Sequence, residues 1–261
     1  MNALLASKAC DITGIIAIAC ARHGCYAPNS LVDLYLGEQQ KNIDFGIIMA
    51  ILLTFVDPEQ GIIIFYDIVC QYIVYFFERI GHKIPAGLTV EAAIGLFHVH
   101  AHKDDCFFRF ASTFIPGAGV VAGEILESLW SSLNAISPSA RTATLAHRAE
   151  LLDDHSTDSN HKKMLGIVSS LCKNHRKAND MVEHAQEYYD NLTRQAGPIA
   201  VAKWKTDIEH AEESRRHNLS AMDIYAAKIE KPSATDSASP DASATALDMW
   251  MALALSVEDK Q

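Results

Sequence analysis

The chain has 261 residues, of which 49% are hydrophobic and 21% are charged. A chain of this length and composition buries a sizeable core, which excludes a wholly disordered protein and a miniprotein that depends on disulfides or metals. Acidic residues outnumber basic residues by 32 to 22, for a net charge of −10, so the chain as a whole carries no basic surface for nucleic acid.

The six cysteines stand at irregular spacings, and the first residues lack the basic region and apolar run of a secretory signal. We therefore expect free or metal-bound thiols in a reducing compartment, either the nucleus or the cytoplasm, and no secretion. Charged residues and a proline interrupt the most apolar stretch, from 46 to 77, so no membrane-spanning helix is predicted.

Strands and helices are predicted to alternate in the first third of the chain. Continuous β-branched and apolar runs favour buried strands, whereas apolar residues three and four positions apart favour helices. Pro58 should end the first helix, because proline disfavours a helical residue before it, and Gly81 should end the second at its C′ position. These patterns predict strands at 14–21, 31–36 and 61–66, and helices at 39–56 and 68–80.

The next segment is predicted to continue this α/β pattern. Residues 92–102 are apolar at first and then alternate with polar residues, which indicates a strand with one polar face. A proline and two glycines predict a loop at 114–119. The spacing of apolar residues over 120–136 predicts an amphipathic helix with Glu124 and Glu127 on one side.

The composition changes at residue 149, where glycine and β-branched runs become scarce and a helical region is predicted. Its helices are expected at 160–172, 176–195 and 199–229, with Gly197-Pro198 separating the last two. The tract 231–245 is too polar to fold, and 246–257 is expected to be either a short docking helix or the product of an altered reading frame. The predicted domains are an α/β core at 1–148, the helical region at 149–230 and a mostly disordered tail at 231–261.

Three acidic residues are candidates for a divalent cation site. Asp67 follows a buried strand, at the edge of the sheet where ligands bind in open α/β folds, although it is equally placed to cap the next helix. Glu124 and Glu127 would complete an oxygen site for a cation such as magnesium if their helix packs on the sheet. The alternative for both glutamates is a solvated helix face.

Histidines and cysteines form a second candidate site. His98, His100 and His102 would project from one face of the predicted strand, with Cys106 just beyond, and these are ligand types that zinc prefers. Alternate residues on a strand are too far apart for all three histidines to bind one ion, so we expect two of them with Cys106 or Cys70. Hydrogen-bonded histidines beside aromatic residues are the alternative.

A third, local group consists of Cys20, His23 and Cys25. It either holds a second metal ion or has no ligand, because so short a cluster is weak evidence for a site.

Four longer motifs carry a family resemblance: CARHG at 20–24, YDIVCQ at 66–71, HVHAHKDDC at 98–106 and GEILESLW at 123–130. In this order and over about two thirds of the chain, the sequence resembles the fungal KDZ (Kyakuja-Dileera-Zisupton) DNA transposases. The resemblance implies a partial ribonuclease H-like core, a mixed sheet with flanking helices, followed by an all-helical C-terminal region.

The resemblance also implies site residues and metals. In such DDE transposases, acidic residues hold two Mg²⁺ or Mn²⁺ ions for DNA strand cleavage and transfer. Asp67 matches the second acidic position, and either Glu124 or Glu127 matches the third. The three histidines and Cys106 match positions that look like a structural zinc site in the family.

The family's first acidic residue lies on an early strand, in a stretch upstream of CARHG that this sequence does not include, and its cysteine-rich DNA-reading modules also precede that core. We therefore expect a truncated transposase that is inactive alone and, being acidic, binds DNA weakly or not at all. The alternative is a non-catalytic nuclear interaction module or relic that zinc stabilises. A zinc hydrolase that uses the histidines is a third hypothesis.

Overall fold

A computed structural model describes residues 11–226 of the chain. The predicted tail at 231–245, the segment 246–257 and the end of the helix predicted to reach 229 lie outside these residues. The chain divides into two compact units, which meet within one long helix between Leu171 and Cys172.

The first sheet pairs two short antiparallel strands, β1 (Gly14–Ile16) and β2 (Val32–Leu34). The strand predicted at 14–21 therefore ends early, and only an isolated bridge between Ala19 and Tyr26 continues the pairing. The reason is a tight turn in which the Gly24 amide donates to the Cys20 carbonyl oxygen at 2.7 Å.

The second sheet pairs two parallel strands, β3 (Ile62–Phe65) and β4 (Val90–Ala93), with Ile62 opposite Val90. The prediction for β3 is confirmed. The prediction of a strand at 92–102 is wrong, since β4 ends at Ala93 and the following residues form a helical turn, α4 (Leu96–Val99). The backbone leaves the strand because the Leu96 amide donates to the Ala122 carbonyl oxygen instead of to a sheet partner.

The helices of the first unit agree with the sequence in place but not always in length. The first predicted helix is confirmed as α1 (Gln40–Leu53). The second is divided into α2 (Val69–Tyr72), a 3-10 turn and α3 (Phe76–Ile80). The last of these helices ends at Ile80, directly before Gly81, as predicted; Gly81 has a φ of −53° and begins a further 3-10 turn.

The helix predicted at 120–136 is shorter, because α6 spans Ile125–Leu133 and Glu124 is its N-cap. Residues 120–124 are non-helical, so Glu124 and Glu127 do not lie together within a helix as the sequence had suggested. Two further helices flank this segment, α5 (Asp104–Phe110) before it and α7 (Ser137–Thr142) after it.

The C-terminal part is helical, as predicted. The helices expected at 160–172 and 176–195 are one continuous helix, α8 (Leu145–Ala196). Gly197, with a φ of 79°, and Pro198 separate it from α9 (Pro198–Ser214), and a 3-10 segment follows at Leu219–Tyr225. Within residues 11–226, no helix has the length and apolar character needed to cross a membrane.

The core of the first unit lies around the second sheet. Six fully buried residues lie there, in α2, α3 and β4 or directly after β4 and α5: Val69, Tyr72, Phe76, Ala93, Ile94 and Ala111. The molecule is thus of the mixed α/β class with small sheets and a helical C-terminal region.

Candidate metal centres

The predicted acidic residues lie at the carboxyl edge of the second sheet. The β3 ladder continues to Tyr66, whose amide donates to the Ala93 carbonyl oxygen at 3.0 Å, so Asp67 emerges where β4 also ends. The hydrogen bond from the Leu96 amide to the Ala122 carbonyl oxygen at 2.8 Å holds the irregular segment that leads to Glu124 at the same edge. Asp67 and Glu124 thus lie at one edge of the sheet although they are 57 positions apart in sequence.

His98 lies close to both carboxylates. Its Nδ1 lies 3.7 Å from Oδ1 of Asp67 and 3.8 Å from Oε1 of Glu124. The two carboxylate oxygens are therefore no farther apart than these two distances together. Nδ1 is buried and has no hydrogen-bond partner in the described residues.

Glu124 and Asp67 differ in how firmly they are held. Oε1 of Glu124 accepts a hydrogen bond from the Phe97 amide, and its side chain is 22% exposed. Asp67 is 61% exposed. The expectation that Asp67 caps the next helix is not met, because Ile68 is the N-cap of α2 and no side chain caps it.

Glu127 lines the same open cleft of about 400 Å³ as Phe97, His98 and Glu124, but its side chain is exposed. Its carboxylate is not among the ion pairs that the described residues form with His98. The structure thus brings Asp67 and Glu124 to one histidine and leaves Glu127 at the rim.

The second centre combines Cys70 of α2, His102 after α4 and Cys106 of α5. Their ligand atoms all lie within 4.8 Å of one another, and Sγ of Cys70 is 3.5 Å from Nδ1 of His102. All three residues are half-buried. Burial and the neighbouring Cys70 raise the pKa of the Cys106 thiol, so this thiol favours its protonated form without a metal ion. Sulfur and imidazole nitrogen are ligand atoms that zinc prefers. Structural zinc sites have four ligands, and these residues supply three.

The other two histidines lie outside this group. His98 faces the acidic residues, and the His100 ring packs against Phe107 with their centroids 5.4 Å apart. The three histidines do not share a face as they would on a strand, because only His98 lies in α4, whereas His100 is its C-cap and His102 follows it. One histidine thus approaches the two cysteines, where we expected two histidines with one cysteine.

The CARHG motif supports the segment that carries Glu124. Arg22 donates a hydrogen bond from Nη2 to the Ala118 carbonyl oxygen. Gly24 has a φ of 66°, which side chains rarely adopt, and a Cβ there would also lie 2.8 Å from the side chain of Ile125, so this turn favours glycine. Sγ of Cys20 lies 3.4 Å from Nδ1 of His23, and Cys25 does not complete a three-ligand group with them in the part of the chain that the structure describes.

Sequence reasoning missed the association of His98 with the acidic residues. The alternation of HVHAH resembles that of a strand, and it concealed the helical turn. Gly95 was the residue in the sequence that could have indicated this association. In the structure, a Cβ at this position would lie 2.8 Å from Oε1 of Glu124, so the glycine allows the carboxylate to approach. A glycine that follows a strand and precedes histidines indicates a close approach of another segment.

Comparison with known proteins gave one match. The model of the Kyakuja-Dileera-Zisupton transposase family matches residues 2–160, which is more than half of the chain. No curated protein and no solved structure matches.

Proposed function

Because the chain belongs to the Kyakuja-Dileera-Zisupton (KDZ) transposase family, we propose that its α/β part is a ribonuclease H-like DDE core that holds divalent cations. Asp67 is the second acidic position of this core and Glu124 is the third. The observation that carries the proposal is the approach of both carboxylates to Nδ1 of His98, at 3.7 and 3.8 Å. Pairing of β3 with β4 does not by itself bring Asp67 and Glu124, which belong to two different motifs, to the same buried nitrogen.

Glu124 is favoured over Glu127 by its surroundings. Its carboxylate is held by the Phe97 amide and lies over Gly95, so its position is fixed before a cation binds. Glu127 is exposed and would have to give up hydration and side-chain freedom to bind. We assign Glu127 no ligand role.

The donor set fits a hard divalent cation. Carboxylate oxygens are the ligands that Mg²⁺ and Mn²⁺ favour. When bound, such ions activate the attacking oxygen and stabilise the leaving oxygen of a phosphodiester. In this chain Asp67 and Glu124 hold the cations, the Phe97 amide orients Glu124, and the open cleft gives DNA access to them.

The resemblance assigns no residue to the family's first acidic position. We propose that Asp67 and Glu124 by themselves bind cations without completing strand cleavage, since two-metal chemistry needs carboxylates on both sides of the ion pair. Its net charge of −10 also disfavours DNA binding.

The experiment measures Mn²⁺ binding to the full zinc-loaded chain by titration calorimetry. Asp67→Asn and Glu124→Gln are each expected to weaken binding at least about tenfold, because each removes one charged ligand. Glu127→Gln is the matched control and should bind like the wild type. Equal binding by all four proteins would overturn the proposal, and a loss only in Glu127→Gln would overturn the assignment of Glu124.

The zinc group supports a second candidate function, a non-catalytic module that zinc stabilises. Cys70 lies in α2, Cys106 lies in α5 and His102 lies between α4 and α5, so an ion that bound them would tie α2 to the segment around α5. We expect one zinc per chain, lost in Cys106→Ser and kept in Cys172→Ser, whose cysteine is exposed and distant in sequence. Stoichiometric zinc with no Asp67-dependent Mn²⁺ binding would favour this module over the transposase core.

A further inference from the structure

One face of the long helix α8 carries mostly apolar residues at alternating steps of four and three positions. Side chains at this spacing form a single line along a helix, which is the pattern of a coiled coil. The line extends over more than three heptads, the length at which such a pattern indicates helix pairing. This line, the α8 seam, consists of Met164, Val168, Leu171, His175, Ala178, Val182, Ala185 and Tyr189.

The α8 seam is open to solvent. Every residue from 168 to 180 is exposed, on all sides of the helix, and the side chains of Val168 and Val182 are 70% and 64% exposed. Near the end of the seam, Nζ of Lys205 lies 5.9 Å from the centroid of the Tyr189 ring. Helices in proteins owe most of their stability to the packing of an apolar face. Because no part of residues 11–226 covers the helix at 168–180, that packing requires a partner outside the chain.

The charges of this helix are divided between two consecutive segments. Residues 162–177 include five basic and no acidic residues, whereas residues 178–190 include four acidic residues and no lysine or arginine. The basic residues are Lys162, Lys163, Lys173, Arg176 and Lys177, and the acidic residues are Asp180, Glu183, Glu187 and Asp190.

This division makes the helix complementary to its own reverse. A parallel second copy would place the two basic segments side by side and the two acidic segments side by side, which is unfavourable. An antiparallel copy places the basic segment of each helix beside the acidic segment of the other. The charge pattern therefore identifies the partner as a second copy of this chain and also sets its direction.

We propose that the α8 seam is a self-association surface that joins two copies of this chain as an antiparallel coiled coil. A two-fold axis relates such copies, so that a residue and its contact exchange roles between them. With the axis between positions 176 and 177, every seam residue of one copy faces a seam residue of the other. Val168 then faces Ala185, and Leu171 faces Val182. The association uses neither the acidic residues near His98 nor the zinc group.

Sedimentation equilibrium of the full zinc-loaded chain measures the association. The wild type should sediment as a dimer at about 100 μM. Leu171→Glu introduces a charge into two layers of each dimer and should weaken the association at least about 100-fold. Ser169→Glu is the matched control, because it introduces the same charge at an exposed position outside the seam, and it should dimerise like the wild type.

Disulfide trapping tests the direction of the two helices. In the Val168→Cys/Ala185→Cys double variant, the two new thiols face each other across an antiparallel pair, so mild oxidation with oxidised glutathione should give a covalent dimer. Each single substitution should give no more covalent dimer than the wild type, because each thiol then lies about 25 Å along the helix from the same thiol of the other copy. In a parallel pair, each single substitution would be cross-linked to its own copy.

The two measurements decide different parts of the proposal. A wild-type chain that remains monomeric in the centrifuge would overturn it, and so would a dimer that Leu171→Glu leaves intact. Cross-linking of Val168→Cys alone to the same extent as the double variant would overturn the antiparallel direction. The trapping is measured on conservative substitutions at exposed or small seam residues, so this decision does not depend on the folding of Leu171→Glu.

Discussion

Gly123 packs directly against Gly95. A Cβ built on Gly123 would lie 3.1 Å from the Cα of Gly95 and would overlap the ring of Phe65. Gly123 also has a φ of 82°, which side chains rarely adopt. Through this contact, the segment that carries Glu124 packs against the residues that follow β4.

Gly123→Ala is therefore expected to lower the free energy of unfolding by about 2–4 kcal/mol, from backbone strain and overpacking together. Gly117→Ala is the control, because Gly117 has a φ of 79° but nothing within 4 Å of the position of its Cβ. It should cost only the strain, about 1 kcal/mol. Urea unfolding measures both, and equal losses would show that the contact with Gly95 contributes nothing.

An ion pair between a buried carboxylate and a partly exposed guanidinium joins α1 to α3. Arg79 donates from Nε to Oδ2 of Asp44 at 2.9 Å and from Nη2 to Oδ1 at 3.1 Å, and the Tyr72 hydroxyl donates to the same carboxylate at 2.6 Å. Arg79→Met should destabilise the fold by about 3 kcal/mol, because it leaves a buried carboxylate without its countercharge.

Asp44→Asn in the Arg79→Met background should restore part of this loss, since the carboxylate is the group left unpaired. Lys162→Met removes a solvent-exposed pair with Asp158 and should change stability by less than about 0.5 kcal/mol. Denaturant unfolding is measured for the wild type, Arg79→Met, Asp44→Asn, the double variant and Lys162→Met. Additive effects of the two substitutions at 44 and 79 would contradict it.

Asn160 of α8 holds the turn at Tyr26 by two hydrogen bonds. Its Oδ1 accepts from the Tyr26 amide at 2.8 Å, and its Nδ2 donates to the Tyr26 carbonyl oxygen at 3.0 Å. Asn160→Ala should cost about 1–3 kcal/mol, because both backbone groups lose their partner.

Hydrogen exchange of the Tyr26 amide checks this prediction locally. Exchange should accelerate in Asn160→Ala and stay unchanged in Asn179→Ala, which removes an exposed side chain of the same type. Unchanged protection of the Tyr26 amide in Asn160→Ala would mean that water replaces the asparagine without loss.

Stability is expected to depend on Tyr26 at alkaline pH. Burial raises the pKa of Tyr26 above its usual value near 10, and its hydroxyl has no hydrogen-bond partner among residues 11–226. The unfolded chain releases this proton first, so the stability is complete below about pH 10 and falls as the pH rises further. Tyr26→Phe should reduce that fall and leave stability at pH 7 unchanged or higher by up to about 1 kcal/mol.

Urea unfolding at several pH values above 9 tests this dependence. Part of the decline should persist in Tyr26→Phe, because burial and neighbouring carboxylates also raise the pKa values of Tyr66 and Tyr72. Tyr188→Phe, at a side chain that is 52% exposed, is the control for the substitution itself. An alkaline decline identical in wild type and Tyr26→Phe would refute the assignment to Tyr26.

Local patterns predicted the elements whose cause is local. The apolar run before Asp67 became β3, the apolar spacing before Asp57-Pro58 became α1, and Gly197-Pro198 separated two helices. Each depends on strand or helix preference and on a breaker a few residues away. The prediction failed at 92–102, where the Leu96 amide finds its partner at Ala122, beyond the reach of any local pattern.

The sequence by itself determined the family and named the candidate site residues, because motifs such as YDIVCQ and GEILESLW specify both the side chains and their order. Only the tertiary structure decided the partners: His98 faces the acidic residues, whereas His102 faces the two cysteines. The physical reason is the direction of the backbone after Ala93. His98 lies within α4, which ends at Val99, whereas His102 follows that helical turn on a different path of the backbone. The hydrogen bond from the Leu96 amide to the Ala122 carbonyl oxygen that accompanies this change joins residues 26 positions apart, so no local pattern contains it.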